Sequence, residues 1–281
     1  AVRDISATAA ITATFNQPMV PLTSAEKAGL LCPAELLEIG DALDETYAGP
    51  ADADLASFKE VSPVKGRCRW QGTQVLTFEP EAPLKPSSLY AVRINKGFKS
   101  ETGGGELAED EVWFFETPRP AVSNTSPYND QRWIAPDSTL YAAFTLPMDP
   151  GRARDAIELE GRRSPVDEVE SVPLGVRRAK EEEVKKLWPY YHHISTATVL
   201  AIRPACGLKR DYVYTLRFKK GLLAAEGTLG LADNREVNFK TYKTFRMTEL
   251  PEDKCLPAGY RVAFSNPVRY GDFYKHLAVD P

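Results

Sequence analysis

Hydrophobic and polar residues alternate along this chain in short runs. Ile11, Ala13 and Phe15 fall on one face of a run whose other face carries Thr12 and Thr14. Val75 to Phe78 forms a second run and ends in a proline-rich corner from Pro80 to Pro86. Leu89 to Ile94 alternates again, with Tyr90, Val92 and Ile94 on one side and Leu89, Ala91 and Arg93 on the other. Lys96-Gly97 and Gly103-Gly104-Gly105 are turn signals, and Glu111 to Thr117 closes the series with Trp113, Phe114 and Phe115. Short alternating runs separated by Gly and Pro turns predict an antiparallel β-sandwich.

The series then recurs. Val75–Thr117 lies over Val199–Thr241 without a gap, and about fourteen of roughly 43 positions are identical. A second element appears three times, as ITATFNQPMV from Ile11, LYAAFTLPMD from Leu140 and YRVAFSNPVR from Tyr260. Its prolines, Pro18, Pro147 and Pro267, cannot donate to a ladder and mark an edge or a bulge. The expected organisation is a unit over residues 1–118, a second over 119–249 and the opening of a third over 250–281. Thr117-Pro118-Arg119-Pro120 is a stiff joint between the first two. A chain that opens in a strand-like run and stops within a repeat is expected to be a piece of a longer protein.

Two stretches interrupt the repeat. Residues 22–58 are long and acidic and are expected to be an insertion, with a short helix over Pro33 to Asp44. Ala179 to Trp188 predicts a second helix, because Glu181–Lys185 and Glu182–Lys186 pair in the favourable order. Both are decorations on a mainly β chain.

The composition, 43% hydrophobic and 26% charged over 281 residues, is that of a globular protein with room for two cores. A net charge of −4, with basic pairs interleaved among acids, argues against a nucleic-acid partner. No apolar run approaches the ~18 residues of a membrane helix, and no membrane contact is expected. Tyr190-Tyr191-His192-His193 contains two adjacent histidines, but strand neighbours point to opposite faces and do not share an ion readily, so it reads as a surface loop. His276 completes the histidines. No Gly-x-Ser-x-Gly elbow is present for a nucleophile. The glycine runs at Gly103 and Gly227 lie between strands and read as turns rather than phosphate cradles. Asp52-Ala53-Asp54 is only a fragment of a calcium loop, and Trp70 reads as a lid on the core. No catalytic, cofactor-binding or metal-binding residue is expected. Cys32, Cys68, Cys206 and Cys255 have no ligand spacing, and an even count in a modular β-protein suits an oxidising compartment. The pairings expected are Cys32–Cys68 within the first unit and Cys206–Cys255 between the second and third. The alternative is buried free thiols.

FNQPMVPLTS from Phe15, GRCRWQGTQVLTFEPEAPLKPSSLYAV from Gly66 and the joint from Phe115 to Pro120 resemble the N-terminal region of bacterial alpha-2-macroglobulins. The second unit repeats the pattern with TVLAIRPACGLKRDYVYTLRF and Phe239-Lys240-Thr241, and the third opens with AFSNPV. The resemblance implies an all-β fold of tandem antiparallel Ig-like β-sandwich domains with short helical insertions. It also implies a non-catalytic scaffold of an envelope-associated protease trap in the periplasm or outside the cell, in some relatives as a lipoprotein. Proteases would be partners of the full-length protein, and in some relatives so would a penicillin-binding protein. The family's C-x-E-Q thioester motif is missing, since Cys206-Gly207-Leu208-Lys209 lacks its Glu and Gln. Met247 stands where the family places the first cysteine of a pair, which leaves Cys255 without that partner. The competing expectation is an Ig-like binding or spacer array of a surface adhesin or cell-wall-associated protein.

Overall fold

The computed structural model describes residues 4–21, 31–41, 47, 49–190, 194–249 and 262–276. By its contacts the chain divides into two compact units. Unit 1 comprises Ala1–Ala121 together with Thr145–Ala153 and Lys220–Asp233, and unit 2 comprises Val122–Phe144, Arg154–Lys219 and Asn234–Pro281. Two segments that belong to the second copy by sequence therefore count with the first unit.

Unit 1 is built on β1 (Ile11–Thr14), β2 (Ala34–Ile39), β3 (Val61–Pro63), β4 (Gly66–Gln71), β5 (Val75–Pro80), β6 (Leu89–Ile94) and β7 (Glu111–Glu116), with a short helix α1 (Pro150–Ala153). One sheet has the order β1-β5-β4 and the other β3-β2-β6-β7, with every pair antiparallel. The alternation seen in the sequence sets the core: Leu36, Trp70, Leu76, Phe78, Tyr90, Val92 and Phe115 are buried in one cluster. Burying each large apolar side chain contributes about 1.5–3 kcal/mol. Trp70 is a core residue whose indole N–H donates to Leu31 O at 2.8 Å.

The helix expected over Pro33 to Asp44 is instead the central strand β2, paired with β6 from Ala34↔Ile94 to Ile39↔Leu89. The strand is buried on both faces. Ala34 and Leu36 enter the main core, while Leu37 and Ile39 join a second cluster with Leu89, Ala91 and Phe114, against which Tyr47, Leu55 and Phe58 pack. A strand covered on both sides shows no clean period of two, and that is why the sequence reads as helical there.

Unit 2 contains β8 (Val122–Ser126), β9 (Gln131–Ile134), β10 (Leu140–Phe144), β11 (Ile157–Arg162), β12 (Glu170–Ser171), β13 (Leu174–Arg178), β14 (Val199–Pro204), β15 (Val213–Phe218) and β16 (Arg235–Thr241). The sheets are β13-β14-β10-β8 and β12-β11-β15-β16-β9. The first strand changes sheets: β8 pairs antiparallel with β10, and β9, after a short turn, pairs parallel with β16. The expected helix is present as α2 (Glu181–Leu187). Its Val184 joins Ala143, Ala179, Val199 and Ala201 on the outer face of the β14 sheet. The third copy opens with β17 (Met247–Glu249) paired to β18 (Ala263–Phe264), then α3 (Tyr270–Lys275). Met247–Glu249 thus pairs within the third opening, although a boundary after residue 249 assigns it to the second unit. The chain is an all-β protein of Ig-like sandwiches with small helical decorations.

Candidate functional surface

The residues singled out in the sequence are scattered. Tyr190 is exposed, and residues 191–193, with both histidines of that cluster, lie outside the described residues. His276 ends α3. Among the described residues no group of three or more His, Cys, Asp or Glu side chains is placed to hold a metal ion. Asp54 caps a short 3-10 turn by accepting the Ala56 N–H at 3.1 Å. Cys32 and Cys68 are bonded, with Cα atoms 5.3 Å apart. Cys206 is free and exposed, and Cys255, its expected partner, lies outside the described residues.

What the repeat preserves is a corner. In the first copy the Lys85 N–H donates to the Tyr90 hydroxyl at 2.9 Å, and in the second the Lys209 N–H donates to Tyr214 at 2.7 Å. Thr117 Oγ1 donates to Lys85 O and accepts the Ser88 N–H, and Thr241 Oγ1 donates to Lys209 O and accepts the Tyr212 N–H. Tyr90 stacks on Phe115 at 5.4 Å, and Tyr214 on Phe239 at 5.6 Å. This is the tyrosine corner of Ig-like sandwiches, where a phenol ties the turn before a strand to the strand's own start. Burial, followed by the charge of Glu38, pushes the Tyr90 hydroxyl up to about 12, and burial raises Tyr214. Both phenols therefore stay protonated and keep their hydrogen-bonding roles at neutral pH. Within each corner one non-glycine residue is left-handed, Ser87 at φ 55° and Asp211 at φ 64°.

The second preserved feature is a glycine loop. Gly97 and Gly103 are left-handed, as are their counterparts Gly221 and Gly227. A single bridge closes each loop, Lys99↔Glu106 and Leu223↔Gly230. Beside the first loop, Phe15, Gln17, Met19, Phe98 and Leu107 line a depression of about 250 Å³. All five are only half-buried, and Gln17 Oε1, although itself buried, takes no hydrogen bond. The counterparts Phe144, Met148, Leu222 and Leu231 are buried, with Met148 and Leu222 at 0% exposure.

Unit 1 holds a further difference between the two loops. The N–H groups of Thr228 and Leu229 both donate to Ser87 O, at 2.9 and 2.8 Å, and Ser87 Oγ donates to Leu229 O. Ser87 is wholly buried, and a Cβ on Gly227 would run into its carbonyl. The glycine loop of 220–233 is thus seated on a tyrosine corner, whereas among the described residues none seats the loop around Gly103 in this way. The sequence marks both loops as turns. It gives no sign of which is covered, because that depends on a contact remote along the chain.

The outer face of β11, β15 and β16 is polar. There Arg217 pairs with Glu158, Glu160 and Glu236 beside a shallow groove of about 270 Å³. Arg162, which also lines the groove, donates to the Pro165 carbonyl at 3.4 Å and has no acidic partner among the described residues.

The family model described as a bacterial Ig-like domain matches residues 2–117. Comparison with curated proteins returns no match. Among solved structures the chain is similar to the N-terminal part of the bacterial S-layer protein SbsC, at 10% identity and a TM-score of 0.24. That match covers 85% of this chain and 43% of the other, so this chain spans less than half the length of that structure. The first copy is therefore similar in sequence to bacterial Ig-like domains, and the second repeats its corner and its loop.

Proposed function

We propose that this chain is a non-catalytic array of Ig-like modules, serving as a spacer or binding stalk in a bacterial protein exported to the cell surface. The observation that carries the reading is the twice-built sandwich, whose repeated residues are the corner and loop groups that shape a module. Ig-like sandwiches of this kind are the common currency of cell-surface proteins. The Cys32–Cys68 bond adds support, since such bonds persist in oxidising compartments. In fractionated cells the protein is expected in the envelope or the medium, with Cys32 and Cys68 oxidised by mass spectrometry of the unreduced protein. Recovery from the cytoplasm with both thiols free rejects the reading.

A narrower reading, a scaffold within a macroglobulin-like protease trap, is supported by the order of FNQPM, GRCRWQGT and the closing Phe-x-Thr motifs. Proteases and a penicillin-binding protein would then be partners of the longer parent. Its test is the parent reading frame: a downstream C-x-E-Q motif, with methylamine incorporated into the full-length protein, supports the trap. A parent without either leaves the spacer reading alone.

A further inference from the structure

We propose that the free edge of β13 takes an extended segment of a partner protein as an added strand, one whose side chains alternate between acidic and apolar. The site lies wholly within unit 2. β13 is the outer strand of its sheet and pairs with β14 alone. The Ala205 N–H donates to Pro173 O, and the Ala179 N–H to Val199 O. In an antiparallel ladder every second residue bonds the neighbour, so Gly175 and Arg177 face β14 while Leu174 and Val176 turn their backbone groups outward. No described residue bonds those outward groups. Beside them a groove of about 490 Å³ opens between the edges of β11 and β13, with Asp155, Ile157, Leu159, Leu174 and Val176 in its walls. Gly175 sits in the middle of the edge and is exposed. It is neither left-handed nor crowded, since the nearest atom to a Cβ there is Arg203 O at 3.8 Å. The fold does not require a glycine at this point, and glycine in a strand suits the close approach of another backbone.

The first copy closes the same flank with its own chain. Phe78 and Ile94 lie over Ile202 and Phe218 in the repeat, and their strand partners match Cys68 to Val176 and Ala34 to Ile157. Cys32, two residues before Ala34, therefore corresponds to Asp155. There the Cys32–Cys68 bond and the Trp70 indole N–H on Leu31 O hold the chain leading into β2 across the gap between the sheets. In the second copy Asp155 and Val176 replace the cysteines and Arg178 replaces Trp70, and the gap is the open groove.

Charge selects the occupant. Arg177 is paired with Glu183, but Arg178 and Arg203 are exposed and have no acidic partner among the described residues. Arg203 lies across from Gly175 on β14. Carboxylates on one face of an added strand meet these guanidinium groups, and apolar side chains on its other face meet Leu174 and Val176. A second copy of β13 is the wrong occupant, because self-pairing brings two Arg177–Arg178 pairs to one seam and like charges keep edges apart. The inference deepens the binding half of the proposed function and rests on that half alone. It is read on the purified chain, so its failure leaves the export of the protein standing.

The probe is a blocked, fluorescently labelled peptide of about nine residues, a strand's length, alternating Glu and Val. A peptide with Lys in place of each Glu is the control. Anisotropy with the full 281-residue chain is expected to give a Kd below about 1 mM at low salt for the acidic peptide, and binding at least about tenfold weaker for the basic one. Amide exchange at Leu174 and Val176 is expected to slow when the acidic peptide is bound. Arg203→Glu, on an exposed side chain, should weaken the acidic peptide at least about tenfold with the melting temperature unchanged. Val176→Pro removes an outward N–H and no ladder bond, and should weaken it too; if that variant does not fold, Arg203→Glu decides alone. No binding of the acidic peptide at about 1 mM overturns the proposal, as does equal affinity for the two peptides. Exchange that slows elsewhere but not at Leu174 and Val176 overturns it, and so does affinity untouched by Arg203→Glu.

Discussion

Tyr90 and Tyr214 do the same work in two surroundings, which makes the corner a residue-scale experiment with its own duplicate. Each hydroxyl accepts one backbone N–H from the turn, at a lysine whose carbonyl is tied by the closing threonine. Removing it by Tyr90→Phe or Tyr214→Phe leaves that N–H in a dry corner, at a cost of about 1–2 kcal/mol. Urea titration should give losses of similar size for the two variants. Glu183 offers a pH-dependent counterpart. The Arg177 guanidinium, with the Lys180 N–H and the Tyr141 hydroxyl, holds its carboxyl at about 2 against the pull of partial burial. A carboxylate whose folded pKa is depressed contributes stability above its unfolded pKa and loses that contribution as pH falls toward the folded value. The native protein should therefore exceed Glu183→Gln in urea midpoint near pH 6, with the gap closing between about pH 5 and about pH 2. A gap that stays constant over that range would show that Glu183 acts through packing alone.

At the scale of elements, β1 was legible in the sequence because it has one wet face. Its Ile11 and Ala13 pack on the core while Thr12 and Thr14 are exposed, whereas β6 is buried on both faces and was legible through its β-rich composition and its recurrence in the second copy. β2 was hidden because the segment before β3 brings Tyr47, Leu55 and Phe58 onto its outer face, so Leu37 and Ile39 are apolar where alternation would call for polar residues. In unit 2 the matching strand β11 carries Glu160 and Arg162 at those places and its outer face stays open. The cover in unit 2 lies on the opposite sheet, where α2 sits. Each decoration thus matches an apolar outer face beneath it. The Cys32–Cys68 bond ties the chain just before β2 to β4 across a sequence separation of 36. Closing a loop of that length restricts the unfolded chain by about 3–4 kcal/mol. Replacing both cysteines by serine should lower stability by up to that amount, read as a shift in urea midpoint. Gly161 faces the ring of Tyr214 across the β11–β15 pair, with no space for a Cβ. Gly161→Ala should therefore cost about 1–3 kcal/mol by overpacking.

At the scale of the whole molecule, the repeat was open to reading because the corner and loop residues recur in order. Which glycine loop is seated was not, because the two loops differ in surroundings and hardly in sequence signature. Gly103 and Gly227 share a left-handed backbone, at φ 68° and 83°. Alanine at either position carries the strain of that backbone, about 1 kcal/mol. At Gly103 nothing else is touched, since the space beside it is empty. At Gly227 the new methyl group meets Ser87 O and displaces the carbonyl that accepts the Thr228 and Leu229 N–H groups. Losing those two bonds adds about 1–3 kcal/mol for buried groups left unpaired. Gly103→Ala should thus cost about 1 kcal/mol in thermal or urea unfolding, and Gly227→Ala clearly more, with increased hydrogen exchange at the Thr228 and Leu229 amides. Because the two positions match in backbone and in residue type, the difference between the variants isolates the seated contact from the strain. Equal losses would mean that the seat on Ser87 contributes nothing to unit 1.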